Sequence, residues 1–590
     1  SGDVAIGHQA LQDADGGDAL NVAVGYRAGR NITTGIRNII IGASAGDTLS
    51  TGIDNIAIGY QALAAEDTHS YNTAVGHQTL KAQDAGADAY NVAMGYRAGY
   101  AVTTGINNIA IGAEAGVALT TGSYNTAVGH GALATEDTGG RNTAMGYRAL
   151  NSLNNDASSY NVGVGYDAGA NVSTGIQNIL IGAFAGDALT TGTNNVAIGF
   201  QALSTQDVNG QNVAIGTSAL RDQLIAGHGN NTAVGNAAGR DVSTGTKNTL
   251  IGAGAGLSVT TGTQNTLIGG DAGDKLQGGS YNTAVGYNAL TTETGFGYNT
   301  AVGNEALANL DAGQFSFNTA VGYNAGEGMT TGIWNTVIGA YAGDDLTGGS
   351  ANVAIGYGAL GAEDGHGYNV AVGYGALQTQ NAGANAYNTA VGYNAGEDIT
   401  NGIENTLVGG LAGDALTGGM ESTFIGYDAG GLTTDSERCT FIGAEAGNAL
   451  NYSGENNTAI GFDAEPSAVA IDDEFTLGNS NIGTLRCQVN TITLISDERD
   501  KTDIQDIDYG LDLIENLRPR KFTWDSRDGA KQGKKEIGFI AQELQEVDDE
   551  YLNFVLDSNP DRLEAGWMQL VPVLVKAVQE LSAEVKQLKQ

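Results

Sequence analysis

Residues 282–290 read NTAVGYNAL, and residues 352–360 read NVAIGYGAL. In the first stretch Asn282, Ala284 and Gly286 point one way along an extended chain, while Thr283, Val285 and Tyr287 point the other. This period of two predicts a strand: one face is small enough for another backbone to approach closely, and the other is β-branched or aromatic. The pattern recurs with lead residues at Asp3, Asn21, Asn38, Asn55, Asn72, Asn91, Asn108, Asn125, Asn142 and Asn161, and continues through Ser422 and Cys439 to Asn457, in 27 copies. Most steps are 17 residues. Steps of 19, as from Asn72 to Asn91, create a superperiod of 70 marked by Asn21, Asn91, Asn161 and Asn231.

A unit this short cannot bury its own apolar side, so it must stack on its neighbours, and parallel stacking places each Asn over the next as an amide ladder. The fold predicted is mostly β: a parallel β-solenoid or β-roll shaft of about 27 rungs of 17–19 residues over residues 1–465. At about 4.8 Å per rung it would extend ~130 Å. Turns such as TTGIRN, TTGSYN and LTGGS separate the strands, with glycine expected wherever φ is positive. Pro466, Pro519, Pro560 and Pro572 all follow the last lead Asn, as expected if a residue unable to donate to the ladder is kept out of it.

Composition bounds the function. The chain has 590 residues with 91 Gly but 4 Pro and no triplet period, which excludes collagen. A formal charge of -39 opposes nucleic-acid partners, whose affinity rests on Lys and Arg neutralising phosphates. No apolar run approaches a membrane span, and no signal peptide opens the chain, so no membrane insertion is expected. The opening residues SGDVAIGHQAL read as the middle of a repeat, and the expectation is a chain that continues upstream. Cys439 and Cys487 make no disulfide framework, and Cys439, at a ladder position, reads as a small buried thiol.

Of His8, His69, His77, His130, His228 and His366, three (His8, His77, His130) replace the Tyr that follows the motif Gly, which reads as a repeat position and not a metal site. Aspartates in AGD turns, Asp47, Asp187 and Asp414, read as solvated. Tyr26, Tyr60, Tyr96 and Tyr287 suit a packing ladder better than a sugar-stacking stripe. No metal and no cofactor is expected.

The repeats are similar to the β-roll heads of trimeric autotransporter adhesins and to phage tail-fibre repeats. They depart from the adhesins in lacking that family's C-terminal anchoring strands, which argues against an outer-membrane anchor. After a β-rich connector at 466–495 the composition changes, and residues 496–590 hold 13 of the 26 basic residues. There the blocks SDERDKTDI from Ser496, LRPRKFTW from Leu517, GFIAQEL from Gly538 and LVPVLVKAVQEL from Leu570 resemble the intramolecular chaperone of endosialidase-type tailspikes and tail fibres, also classed as a self-cleaving S74-type peptidase. That resemblance implies a small α/β chaperone domain, a Ser496 nucleophile, a Lys501 base and a scissile bond between Ile495 and Ser496. Lysine serves as a base once desolvation depresses its pKa. Asp497 would orient the pair or cap the following helix. In the last helix Val571, Val578 and Val585 fall at heptad a and Leu574, Leu581 and Leu588 at d, a coiled-coil seam. The alternative is a helix packed on its own domain. Val at a with Leu at d leans toward dimers, whereas the resemblance implies a trimer.

The reading is therefore a virion tail fibre assembled in the host cytoplasm. It would be a homotrimer that meets a host cell-surface receptor, a glycan, and other virion tail proteins, and whose chaperone sets register and then cleaves itself off. A polysaccharide-degrading tailspike would need paired carboxylates on inserted loops, for which spacings of 17–19 leave no room. A non-viral surface adhesin or an ice-binding solenoid is the remaining class; the latter would need an unbroken Thr ladder, and TTG occurs in only some turns.

Overall fold

The computed structural model describes residues 2–15, 17–205, 208, 210–225, 227–448, 452–482, 484–486, 488, 496–527, 531–556, 563–566 and 568–589. These form two compact units, residues 1–358 and 359–590.

The first unit is a parallel β-solenoid. Three-residue strands run from β1 (Val4–Ile6) to β21 (Val353–Ile355), one per repeat, and each pairs in register with the next, as in Val162↔Ile179 and Thr283↔Thr300. Backbone bonds also join the turns of successive rungs: the Thr33 N–H donates to the Ser50 carbonyl at 2.9 Å and Gly29 to Ala45 at 3.0 Å. The interior is narrow because the inward strand residue is usually Ala, as at Ala57, Ala74 and Ala284, all fully buried. Turn residues such as Ile32, Leu49 and Leu119 fill the rest of the core.

The amide ladder is present. The Asn178 backbone N–H donates to Asn161 Oδ1 at 3.0 Å, and its Nδ2 donates to the Gly192 carbonyl at 2.8 Å, fourteen residues on. Asn282 repeats this with Asn265 Oδ1 at 2.9 Å and the Phe296 carbonyl at 3.3 Å. Each amide thus satisfies main-chain groups that would otherwise be buried unpaired. Across the 19-residue step the contact from Asn91 N–H to Asn72 Oδ1 lengthens to 3.3 Å, and Gln83 splices the gap by donating to Asn72 Oδ1 at 2.8 Å and accepting from Asn91 Nδ2 at 3.0 Å.

Glycine acts differently from the expectation for the turns. The TTG glycines Gly35, Gly105 and Gly122 are not among the positive-φ residues; the residue just before the lead Asn is, as at Arg37 (φ 59), Asp54 (φ 56) and Tyr124 (φ 63). The glycine that needs its freedom is the one closing each strand. Gly286 has φ 145, and a Cβ there would lie 2.1 Å from the Gly303 carbonyl oxygen of the next rung.

The second unit carries strands β22 (Val370–Val372) to β28 (Phe475–Leu477), each paired parallel with its successor. The last of these lies beyond the final motif copy. Glu474 leads it, its N–H donating to Asn457 Oδ1 at 2.8 Å. Here the interior widens: Phe424 and Phe441 stack at 4.8 Å in place of Ala. Cys439 is buried as expected, its Sγ donating to the Gly454 carbonyl at 3.3 Å.

Residues 496–589 fold around a small core of their own. A 3-10 turn (Glu498–Asp500) leads to α1 (Leu511–Asn516), the antiparallel pair β29 (Arg520–Thr523) and β30 (Lys535–Gly538), α2 (Ala541–Leu544), the pair β31 (Val555–Leu556) and β32 (Glu564–Ala565), and α3 (Leu570–Leu588). The core is Leu544, Leu552, Phe554, Leu570 and Val573, flanked by Leu513, Ile514 and Phe539. Helix α1 packs on α3, where the Leu511 N–H donates to Glu580 Oε2 at 2.7 Å.

Candidate self-cleavage site and helix seam

Ser496 and Lys501 stand at the two ends of the 3-10 turn. That turn shortens the five-residue span enough for Lys501 Nζ to donate to Ser496 Oγ, and both residues are exposed. Asp497 is the N-cap. Its carboxylate accepts the Arg499 backbone N–H at 2.9 Å and the Arg499 guanidinium at 3.0 and 2.6 Å, which hold it below the usual carboxylate range. Of the two roles open to Asp497 in sequence, the geometry gives it the cap: it fixes the turn and does not bond to Ser496 or Lys501. Its partner Arg499 escaped the sequence reading, since an Asp-x-Arg spacing is common on any surface. Ile495 lies outside the described residues.

Helix α3 has two faces. Leu570, Val573 and Ala577 are buried against the module. The heptad residues Val571, Leu574, Val578, Leu581, Val585 and Leu588 are all exposed, from 40 % at Val585 to 87 % at Leu588. The helix therefore packs on its own domain through one set of residues and leaves the heptad set exposed.

Along the shaft the tyrosines form ladders of exposed rings. His8 stacks on Tyr26 with centroids 5.6 Å apart, Tyr147 on Tyr166 at 5.0 Å and Tyr374 on Tyr393 at 5.5 Å. Ring faces cover one another and edges meet solvent, which favours packing over sugar stacking. The AGD aspartates are less solvated than their sequence suggests. Burial, with Asp167 nearby, pushes Asp187 up to about 6, and Asp414 beside Asp428 rises to about 6 for the same reasons. Four glutamates, Glu66, Glu136, Glu293 and Glu363, are fully buried in the array. Each stands six residues before the lead Asn of a 19-residue step, a signal present in the sequence but silent on burial.

Among the described residues no helix is long and apolar enough to cross a membrane. The family model for the chaperone of endosialidase matches residues 496–553, beginning at the serine of the Ser496–Lys501 contact. The chain is also similar to the uncharacterized protein VP1 of Micromonas pusilla reovirus (isolate Netherlands/2005). The two are 34 % identical over 108 residues, 16 % of this chain and 6 % of that protein's own length. A chaperone-of-endosialidase segment following a long run of parallel β-solenoid rungs fits a phage tail fibre or tailspike that carries its own C-terminal chaperone.

Proposed function

We propose that this chain is a homotrimeric viral attachment fibre, with a solenoid shaft over 1–465, a connector over 466–495 and a self-releasing chaperone over 496–590. The observation that carries the reading is the contact between Lys501 Nζ and Ser496 Oγ at the first residue of the family match. Lys501 takes the Oγ proton as Oγ attacks the Ile495 carbonyl carbon, and returns a proton to the departing Ser496 nitrogen, so the amide becomes an ester on Ser496. Water then opens the ester, freeing residues 496–590.

In one chain both side chains are exposed. The base form needs a drier setting, which neighbouring copies would supply on assembly, so cleavage would follow trimerisation. The exposed heptad face of α3 supports association, as does the outer face of the shaft strands, where Ile39, Ile41, Ile179 and Ile181 are exposed. A chaperone is needed because a slip by one repeat keeps nearly the same contacts while misaligning the ends. The fibre would sit on the virion after assembly in the host cytoplasm, joined to other tail proteins and meeting a glycan receptor. Masses of the boiled chain test the mechanism: the parent separates between 495 and 496, while Ser496→Ala and Lys501→Ala stay whole. Intact parent, or cleaved Ser496→Ala, overturns it.

A further inference from the structure

Two of the six histidines stand beside buried carboxylates. The sequence runs Glu66-Asp67-Thr68-His69 and, in the second unit, Glu363-Asp364-Gly365-His366. Ligand-type atoms of Glu66, Asp67, His69 and Asp84 all lie within 4.8 Å of one another, as do those of Glu363, Asp364 and His366. His69 Nδ1 is 2.8 Å from Glu66 Oε1; His366 Nδ1 is 3.3 Å from Glu363 Oε1 and 3.9 Å from Asp364 Oδ1. Such separations are close to the edges of a coordination shell with metal–ligand bonds of about 2.0–2.2 Å. The Glu66 and Glu363 side chains are 0 % exposed, His69 16 % and His366 28 %, so each cluster has a dry inner ligand and a solvent-side entrance.

A second observation concerns the charge itself. Glu363 Oε2 is buried without a hydrogen-bond partner among the described residues, while Oε1 accepts the His366 backbone N–H at 3.1 Å. An unmet anionic oxygen in a dry interior is costly unless a cation or water compensates it. The array contains its own controls. Glu136 and Glu293 occupy the same place and are equally buried, with Oε1 accepting the N–H of Gly139 at 2.7 Å and of Phe296 at 3.1 Å. Their rungs put Gly139 and Phe296 where histidine stands in the other two. Glu293 Oε2 is also without a partner, but Thr294 and Phe296 add no strong second ligand. Glu136 is followed by Asp137 as Glu66 is by Asp67, so capping the turn requires only the glutamate, and it is the histidine that sets the two clusters apart.

We propose that Glu66, Asp67, His69 and Asp84, and separately Glu363, Asp364 and His366, are two divalent transition-metal sites of the zinc type. Imidazole with carboxylates selects zinc, cobalt, nickel or manganese over calcium and magnesium, which take oxygen alone. Asp84 belongs to the rung after Glu66, so the ion ties two rungs together at the step where the Asn72–Asn91 ladder contact is stretched.

Zinc titrated calorimetrically into the chelator-dialysed full chain at pH 7.5 tests this. Two ions per chain are expected. His69→Ala and His366→Ala should each remove one and the double variant both, whereas His77→Ala, in the ring ladder, should retain two. Asp84→Asn, an exposed change that leaves the core intact, should weaken one site about 10-fold, and calcium should give no heat. Absence of zinc binding by the parent, or unchanged stoichiometry in the double variant, overturns the proposal.

Discussion

The shaft and the C-terminal module keep their stability in different places. In the shaft a repeat's strand buries one small side chain and one amide, and the rest is main chain bonded to main chain, rung after rung. In the module a handful of large side chains form the core, and the longest helix leaves its heptad residues in water. A shaft rung is complete once it has neighbours above and below, and those come from the same chain. The module is left with an apolar face on its longest helix exposed in the single chain. On the function proposed above the difference gives the two parts separate tasks: repeats that stack alike carry no mark of register, and the module's exposed helix face would set it.

The sharpest way to break the contrast is at glycine. Gly286→Ala puts a Cβ 2.1 Å from the Gly303 oxygen at φ 145, and should cost upward of about 3 kcal/mol through strain and rung separation. Gly533→Ala, at φ 74 in the module with nothing within 4 Å, should cost about 1 kcal/mol. Unfolding rates in guanidinium for the two variants measure the difference, and equal effects would mean that the shaft tolerates local rung separation.

Asn282→Ala probes the ladder itself. It strands the Asn299 N–H, now 3.0 Å from Asn282 Oδ1, and the Phe296 carbonyl, and should destabilise by roughly 2–3 kcal/mol. On α3 two adjacent residues should separate folding from association. Val573→Ala thins the module core by roughly 2 kcal/mol and should leave oligomeric state unchanged, whereas Leu574→Asp, on the exposed face, should leave the module folded and abolish association in sedimentation runs.

How far these features can be read from sequence follows the same divide. The amide ladder was legible because its demand is chemical and repeated: a short side-chain amide accepts from a main-chain N–H seventeen residues on and donates to a carbonyl fourteen residues on. The left-handed residue before each Asn was not, because Arg37, Asp54 and Tyr124 share no property that announces positive φ. Strand β28 falls within the β-rich connector, but its place as a further rung was not legible, because Glu474-Phe-Thr-Leu does not match the motif. Ser496 and Lys501 were reached only through resemblance, since a serine and a lysine five apart carry no local signal. The heptad predicted the exposed face of α3, while its buried face, Leu570, Val573 and Ala577, depends on what α1 and the module core bring against it.

The smallest expected effect lies in acid, and it has opposite signs in the two regions. Asp187 in the shaft has its carboxyl raised to about 6 by burial and Asp167, and its Oδ1 has no hydrogen-bond partner among the described residues. A raised carboxyl binds its proton more tightly folded than unfolded, so this group's contribution to stability falls as pH rises from about 4 to about 6 and stays low above that. Asp549 in the module is the reverse: the Tyr509 hydroxyl donates to it and holds it below the usual range, so its contribution is present at neutral pH and is lost as pH falls through its lowered value. Asp187→Asn should therefore raise the shaft's melting temperature at pH 7.5, by an amount on the order of 1 kcal/mol once the screening of a half-exposed group is allowed for. That gain should fade towards pH 4. Asp549→Asn should instead lower the module's transition at pH 7 and leave it unchanged in strong acid. Melting both variants against the parent across pH 3–8 decides the matter; a gain for Asp187→Asn that did not shrink in acid would show that the carboxylate's shape, and not its charge, is what the shaft tolerates poorly.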